Sequence, residues 1–315
     1  MAQIKDINKF RMDFTKIFHS KVVPLLQNLD KERIERKRTA ITVSIIVYIL
    51  VFIFCFFAVG ASTASEDLMI TLMFTLIVGF IPALCVYKYF KKNFERGLKL
   101  AVMPCLMQAF GNFRWMPDFV VFDEEIKMSK LYTSFDESKT DDNFIGSYKN
   151  VPIRISEKEL FYIIRDSKGR RHKHVEFKGV FISIEIPKNF TGHTIVREKG
   201  LINLGPYKEV KLEDPEFSKM FYVSSTDQIE ARYLLTTAFM QRYKNIQKAF
   251  SARTISCSFL ANKLLLAIPS NRDLFSLGDL NKPVGDTRQF TVFLNEIISI
   301  FELIEELKVY QNTGL

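Results

Sequence analysis

Two long runs without a charge constrain this chain more than any other feature. Residues 40–61 read AITVSIIVYILVFIFCFFAVGA, and residues 68–87 read LMITLMFTLIVGFIPALCVY. A helix rises about 1.5 Å per residue and the hydrocarbon core of a bilayer is about 30 Å thick, so either run can span it. Only the short polar stretch 62–67, ending in Glu66 and Asp67, separates them. The expectation is a two-helix transmembrane hairpin. The first run begins too late and runs on too long to be the apolar part of a cleavable signal.

The flanking charges orient the hairpin. Lys31, Arg33, Arg36, Lys37 and Arg38 precede the first run, Lys88, Lys91, Lys92, Arg96 and Lys99 follow the second, and the connection has neither Lys nor Arg. Basic flanks stay on the cytoplasmic side, so both termini are expected in the cytoplasm and Glu66–Asp67 outside. No ionisable residue interrupts either run, which argues against a proton or ion path through one hairpin. Part of the formal net charge of +9 is therefore topological. The remaining basic residues are spread over turns and are not interleaved with aromatics, so nucleic acid is not expected as a partner. Cys55, Cys85, Cys105 and Cys257 show no CxxC or ligand spacing, which argues against a disulfide framework or a structural zinc site.

The hairpin divides the chain into four expected parts: a basic amphipathic helical arm at 1–37, the transmembrane hairpin at 38–88, a helical stalk at 89–116 and a cytosolic domain at 117–315. In the arm, Ile7, Phe10, Phe14, Phe18, Val22 and Leu26 recur near helical spacing, with Pro24 expected to kink or interrupt the helix. The arm either lies in the membrane interface or packs on a cytosolic helix of the same chain. Its acidic residues Asp6, Asp13, Asp30, Glu32 and Glu35 favour packing. Pro104 is expected to interrupt the stalk.

The cytosolic part reads as α+β, an antiparallel-sheet domain with flanking helices. A short helix is expected over 123–131 and a polar loop over 134–142. Period-two patterns predict strands at 143–148, 151–155, 160–165, 171–177, 179–186, 193–197, 209–212 and 217–223, assembled as a meander. Asp227 and Glu230 have the spacing of a reciprocal capping box. A helix follows, a second starts near Thr236, a hairpin covers 254–268, and a last amphipathic helix spans about 286–309, with Phe290, Phe293, Leu294, Ile297, Phe301 and Ile304 on its buried stripe.

Motifs that carry chemistry are scarce. No phosphate-cradling glycine loop, dinucleotide fingerprint, HExxH or GxSxG is present, so no catalytic residue, cofactor site or metal site is assigned. The densest polar cluster is 167–174, where Arg170, Arg171, His172, Lys173 and His174 fall together. His172 and His174 share a strand face, but no third metal ligand is identifiable. This cluster is a solvated hairpin tip, or a patch facing lipid or a partner. His193, beside Thr191 and Thr194, could in principle belong to a Ser/Thr–His–Asp set, though nothing in the sequence selects it. The second place of interest is a junction of strand and helix carrying Glu213, Asp227, Glu230 and Arg232, read either as local caps and ion pairs or as a ligand or partner groove.

Several segments match a known pattern: IleSerGlu at 155–157, PheLysGlyValPheIle at 177–182, PheThrGlyHisThr at 190–194, LeuGluAspProGluPhe at 212–217 and AspGlnIleGluAlaArgTyrLeuLeuThr at 227–236. Through them the chain resembles the bacterial membrane-protein family catalogued as domain of unknown function 3137. One departure is Thr237, where that family often has proline. The resemblance implies a basic arm, two membrane helices and a cytosolic domain, hence an inner-membrane location, and it implies no activity. The functional expectation is a membrane-anchored cytosolic interaction or scaffold module. Its partners would be the lipid bilayer and another membrane protein or a second copy of the chain. The alternative is an enzyme acting on a lipid or membrane-associated substrate near the His172/His174 hairpin or the Asp227 junction.

Overall fold

The computed structural model describes residues 2–60, 68–117, 123–199, 207–272, 274–284 and 288–311. The polar connection 62–67 and the expected start of the last helix at 286 lie outside the described residues. The chain is α+β and clusters into two compact units.

One unit comprises residues 15–106 and 276–290. Helix α1 (Ala2–Ile17) leads through a π-helical turn, Phe18–Val22, into α2 (Val23–Gly60). Pro24 has no N–H to give, and its ring would crowd the carbonyl four residues back. The chain answers with a wider turn in which the Val23 N–H bonds to the Phe18 carbonyl. Helix α3 (Leu68–Met107) then runs on through Pro82 and Pro104. The expected interruption at Pro104 is absent: the last turns around it bury Leu98, Val102, Met103 and Leu106, and that packing outweighs one lost hydrogen bond. Helices α2 and α3 touch where Gly79 lies against Tyr48; a Cβ at Gly79 would stand 3.3 Å from that ring. A strap of chain, 276–290, is tied to both helices. Asp30 accepts from Arg33 Nε at 2.7 Å and from the Val284 N–H at 3.0 Å, and Arg33 Nη1 donates to the Leu280 carbonyl at 3.2 Å. On α3, Lys91 Nζ lies 3.0 Å from Asp279 Oδ2, and the Tyr87 hydroxyl donates to Asn281.

The other unit comprises residues 1–14, 107–275 and 291–315. Its centre is a nine-stranded antiparallel sheet: β1 (Arg114–Trp115), β2 (Glu137–Tyr148), β3 (Val151–Arg165), β4 (Arg171–Glu185), β5 (Thr194–Glu198), β6 (Lys208–Glu209), β7 (Phe221–Ser225), β8 (Ser256–Leu260) and β9 (Lys263–Pro269). The order β1-β2-β3-β4-β9-β8-β5-β7-β6 corrects the expected meander, because the β8–β9 hairpin is inserted between β4 and β5. The segment after β4 holds the hairpin tip, with Ile186 N–H on the Asn262 carbonyl at 2.7 Å.

Several expected boundaries differ. The stretch 134–142, expected as a loop, mostly joins β2, because its polar groups find partners: Ser138 Oγ donates to Asp123 at 2.6 Å, and Trp115 Nε1 donates to Asp142 at 2.8 Å. The two strands expected within 151–165 are one, as are the two within 171–186. Gly179 does not break β4. It adopts φ +152°, and a Cβ there would sit 2.1 Å from the Ile268 carbonyl, so glycine permits β9 to approach. The strand expected at 217–223 starts instead as helix α5 (Pro215–Met220), capped by Asp214 with Pro215 in the first turn.

Helices pack on both faces of the sheet. The register places Ile155, Ile182, Leu266 and Cys257 on one face. There α7 (Thr237–Ala249) sets Phe239 against Phe259 at 5.5 Å, and α8 (Arg288–Gln311) sets Phe293 against Phe144 at 5.9 Å. The expected stripe of α8, from Phe290 to Ile304, is buried. Phe301 stacks on Tyr148 at 4.4 Å and meets Phe10 of α1 at 5.3 Å, while Arg11 donates to Asn295 at 3.0 Å. Of the two readings of the arm, the structure shows packing for Phe10, Arg11 and Phe14. On the opposite face, α4 (Asp123–Met128) closes a cluster of Ile126, Leu160, Phe177, Phe181, Ile195 and Leu265. Helix α6 (Gln228–Leu234) follows β7.

Candidate functional site

The basic cluster 170–174 lies on a ribbon that extends past its neighbours. Strand β2 reaches only to Phe161 along β3, and β9 meets β4 only from Gly179 onward. Beyond those points β3 and β4 pair with each other, and residues 171–176 are exposed. Acidic groups offset part of the charge. Asp166 accepts the Arg170 N–H at 2.9 Å and Arg170 Nε at 2.8 Å, and lies 3.3 Å from His172 Nε2. The backbone N–H of Arg170 is the main cause holding the Asp166 carboxyl below its usual range. Glu137 pairs with Lys173 and, at 3.0 Å, with Arg171. His174 does not turn toward His172; its ring stacks on Tyr162 at 5.2 Å. Among the described residues no three His, Cys, Asp or Glu side chains gather as a metal set.

At the second place, Asp227 caps α6, with Oδ1 3.0 Å from the N–H groups of Ile229 and Glu230. The expected reciprocal box does not close. Glu230 turns away from Asp227 and accepts the N–H groups of Thr191 at 2.9 Å and Gly192 at 2.8 Å, and Ser225 Oγ accepts from the Asp227 N–H. The loop 190–193 docks on the helix start because Gly192 has no side chain: a Cβ would lie 2.6 Å from that of Asp227. The PheThrGlyHisThr segment is thus a docking device for α6. Glu213 and Arg232 are exposed and are not part of this contact.

A cleft absent from the sequence reading lies between α4 and the β8–β9 hairpin. It encloses about 600 Å³, lined by Asp123, Glu125, Met128, Ser258, Leu260 and Lys263 among others. Two of its carboxylates, Asp123 and Glu125, are engaged. Glu125 takes Arg154 Nη2 at 2.7 Å, Lys263 Nζ at 3.2 Å and the Ser183 hydroxyl. Asp123 holds Lys158 Nζ at 2.6 Å, and that lysine side chain is wholly buried. No local motif signals this cleft, since its walls come from residues more than a hundred positions apart.

Behind the cleft wall, His193 Nε2 lies 2.8 Å from Ser258 Oγ and 3.1 Å from the Ser129 carbonyl, while its Nδ1 lies 2.8 Å from the Tyr207 hydroxyl. A carbonyl only accepts, so these partners assign the proton to Nε2, leaving Nδ1 to accept from Tyr207. Burial pushes the His193 pKa down and keeps the ring neutral. With Nε2 already protonated, His193 cannot take a proton from Ser258. The arrangement fixes three chain segments and lacks the polarity a serine nucleophile requires.

Comparison with known proteins agrees with the resemblance read from the sequence. The profile of the family described as protein of unknown function (DUF3137) matches residues 175–309. The match takes in the 177–182, 190–194, 212–217 and 227–236 segments and most of α8, while 155–157 lies outside it. No curated protein sequence matches the chain. Among solved structures, the crystal structure of the mycobacterial trehalose monomycolate transport factor A, TtfA, is similar over 62% of this chain and 90% of that one, at 11% identity and a TM-score of 0.33. A likeness at that score carries no argument.

Proposed function

We propose that the chain is a membrane-anchored interaction module, with α2 and α3 crossing a bilayer at residues 40–61 and 68–87 and both ends in the cytoplasm. In this reading 1–37 is a cytosolic arm, 89–116 a stalk, and 117–315 the part that meets partners. One observation supports the anchor above others. The helices long and apolar enough to cross a membrane keep their apolar side chains outside the fold: Phe54 is 74% exposed, Phe57 69% and Ile77 64%. Each such side chain left in water forgoes about 1.5–3 kcal/mol, so a helix pair of this kind is stable only where lipid covers it. The basic flanks and a connection without Lys or Arg support the orientation.

The partner-facing element we assign is the β3–β4 ribbon. It carries Arg170, Arg171, Lys173 and two exposed apolar side chains, Ile164 at 47% and Val175 at 58%. By register Val175 shares its face with Arg171 and Lys173 while Ile164 lies on the other face, and an exposed apolar side chain beside cations on a projecting strand pair suits a protein partner or a second copy of the chain.

Two measurements test the reading. A cysteine placed in the 62–67 connection should react with a membrane-impermeant maleimide from outside intact cells, and one replacing Lys168 should react only after permeabilisation. The reverse pattern would overturn the topology. A photo-crosslinking residue at Val175 should trap a defined protein or a second copy, and a blank result in native membranes would count against the interaction role.

A further inference from the structure

The strap at 276–290 brings a residue to the helix pair that the sequence places almost two hundred positions away from it. Ten residues back from Tyr48 along α2 is Arg38, and ten residues on from its contact Gly79 along α3 is Tyr89. At about 1.5 Å per residue the two positions share one level, at the end of the uncharged runs. At that level stand Lys37, Arg38 and Lys88. Tyr87, one residue from Lys88, donates its hydroxyl to Asn281, so the strap crosses there and sets Lys282 beside this ring of cations.

Nearby charges are of two kinds. Some are spent on holding the strap: Arg33 on Asp30, Lys91 on Asp279 and Glu95, and Arg36 on Glu32. Arg38, Lys88 and Lys92 are exposed and Lys37 is half-exposed, and no salt bridge among the described residues takes them up; Lys282 is exposed too and shares the field of Asp279 with Lys91. A group of exposed cations, of which only Lys282 has a carboxylate nearby, at the mouth of a membrane helix pair has the chemistry of a headgroup site. Lysine and arginine near an anionic leaflet each strengthen association about fivefold.

We propose that Lys37, Arg38, Lys88 and Lys282 form a collar that binds the phosphate headgroups of anionic phospholipid, with the strap as its fourth side. This rests on α2 and α3 spanning a bilayer. The strap then has a purpose beyond tying two helices: its Asp279, Asn281 and Val284 contacts position Lys282, a cation that neither helix supplies.

The test uses the full-length protein in nanodiscs of phosphatidylcholine with and without phosphatidylglycerol, read by native mass spectrometry of retained lipid. Wild type should retain phosphatidylglycerol in preference to phosphatidylcholine. Lys282→Gln should weaken that retention about fivefold, and Lys282→Arg should restore it. Lys248→Gln, on α7, should leave it unchanged. Failure of wild type to enter nanodiscs or to resist alkaline extraction would overturn the anchor itself. Stable insertion with no preference for phosphatidylglycerol, or equal retention by wild type and Lys282→Gln, would overturn the collar alone.

Discussion

The carboxylate of Glu230 receives the backbone N–H of Gly192 at 2.8 Å, across thirty-eight positions of sequence. With Thr191 it takes two backbone donors that would otherwise be unmatched in a tight loop. Hydrogen bonds to a charged acceptor contribute about 1.5–3 kcal/mol each. Glu230→Ala should therefore destabilise the sheet unit by about 3 kcal/mol, and Glu230→Gln by less. Trp115, the single tryptophan, is bonded to Asp142 within β1–β2, so its fluorescence during denaturant unfolding is the measurement.

Gly192→Ala tests the same contact from the other side. The added methyl meets Asp227 Cβ at 2.6 Å, beside backbone that cannot swing aside. A loss of about 1–3 kcal/mol is expected, the range for overpacking. Gly169→Ala is the contrast: it meets no atom within 4 Å, and only its φ of +77° opposes the substitution.

Acid should destabilise through His193. Burial lowers its folded pKa below the usual 6.5, so the unfolded chain binds the extra proton more readily. Stability is retained above pH 6.5 and falls as the pH drops below it. His193→Gln should flatten this part of the profile of unfolding midpoint against pH. An unchanged slope would mean that the folded ring takes up a proton as readily as the unfolded one, and that burial does not keep it neutral.

Glu296 should act in the opposite direction. It is buried on α8, and burial, opposed only by Arg272, raises its carboxyl to about 7. The folded state then binds more protons than the unfolded state between the ordinary glutamate range and pH 7. Stability contributed at low pH is lost across that window, by about 3 kcal/mol at roughly 1.4 kcal/mol per unit. Glu296→Gln should be the more stable protein at pH 8 and equal to wild type at pH 4.

Phe301→Ala should cost about 3–5 kcal/mol. Its ring meets Tyr148, Phe10, Phe110 and Phe113, so three segments distant in sequence lose one shared surface. Calorimetry of the sheet unit in detergent micelles is the check.

Much of this architecture is written in short-range patterns. The stripe of α8, the caps at Asp227 and Thr236 and the β8–β9 hairpin follow from periods and cap residues that act over a few positions. What could not be read depends on distant partners. Ser138 and Asp142 look like loop residues until Asp123 and Trp115 are placed beside them. Glu230 has the spacing of a capping box, but Thr191 and Gly192 compete for it and win. The insertion of β8–β9 next to β4 leaves no local trace, and the cleft beside α4 exists only because of that insertion. The basic run 170–174 was visible as a cluster, while its partial neutralisation by Asp166 and Glu137 was visible only in the fold.

The strap also has a consequence in time. Residues 276–290 are made long after α2 and α3, at 5–20 residues per second some 10–40 s later. Until then Asp30 lacks the Val284 N–H and Lys91 lacks Asp279. The helix pair therefore passes through a biosynthetic stage in which its end is unlatched, and a ribosome stalled before residue 276 would leave it in that state.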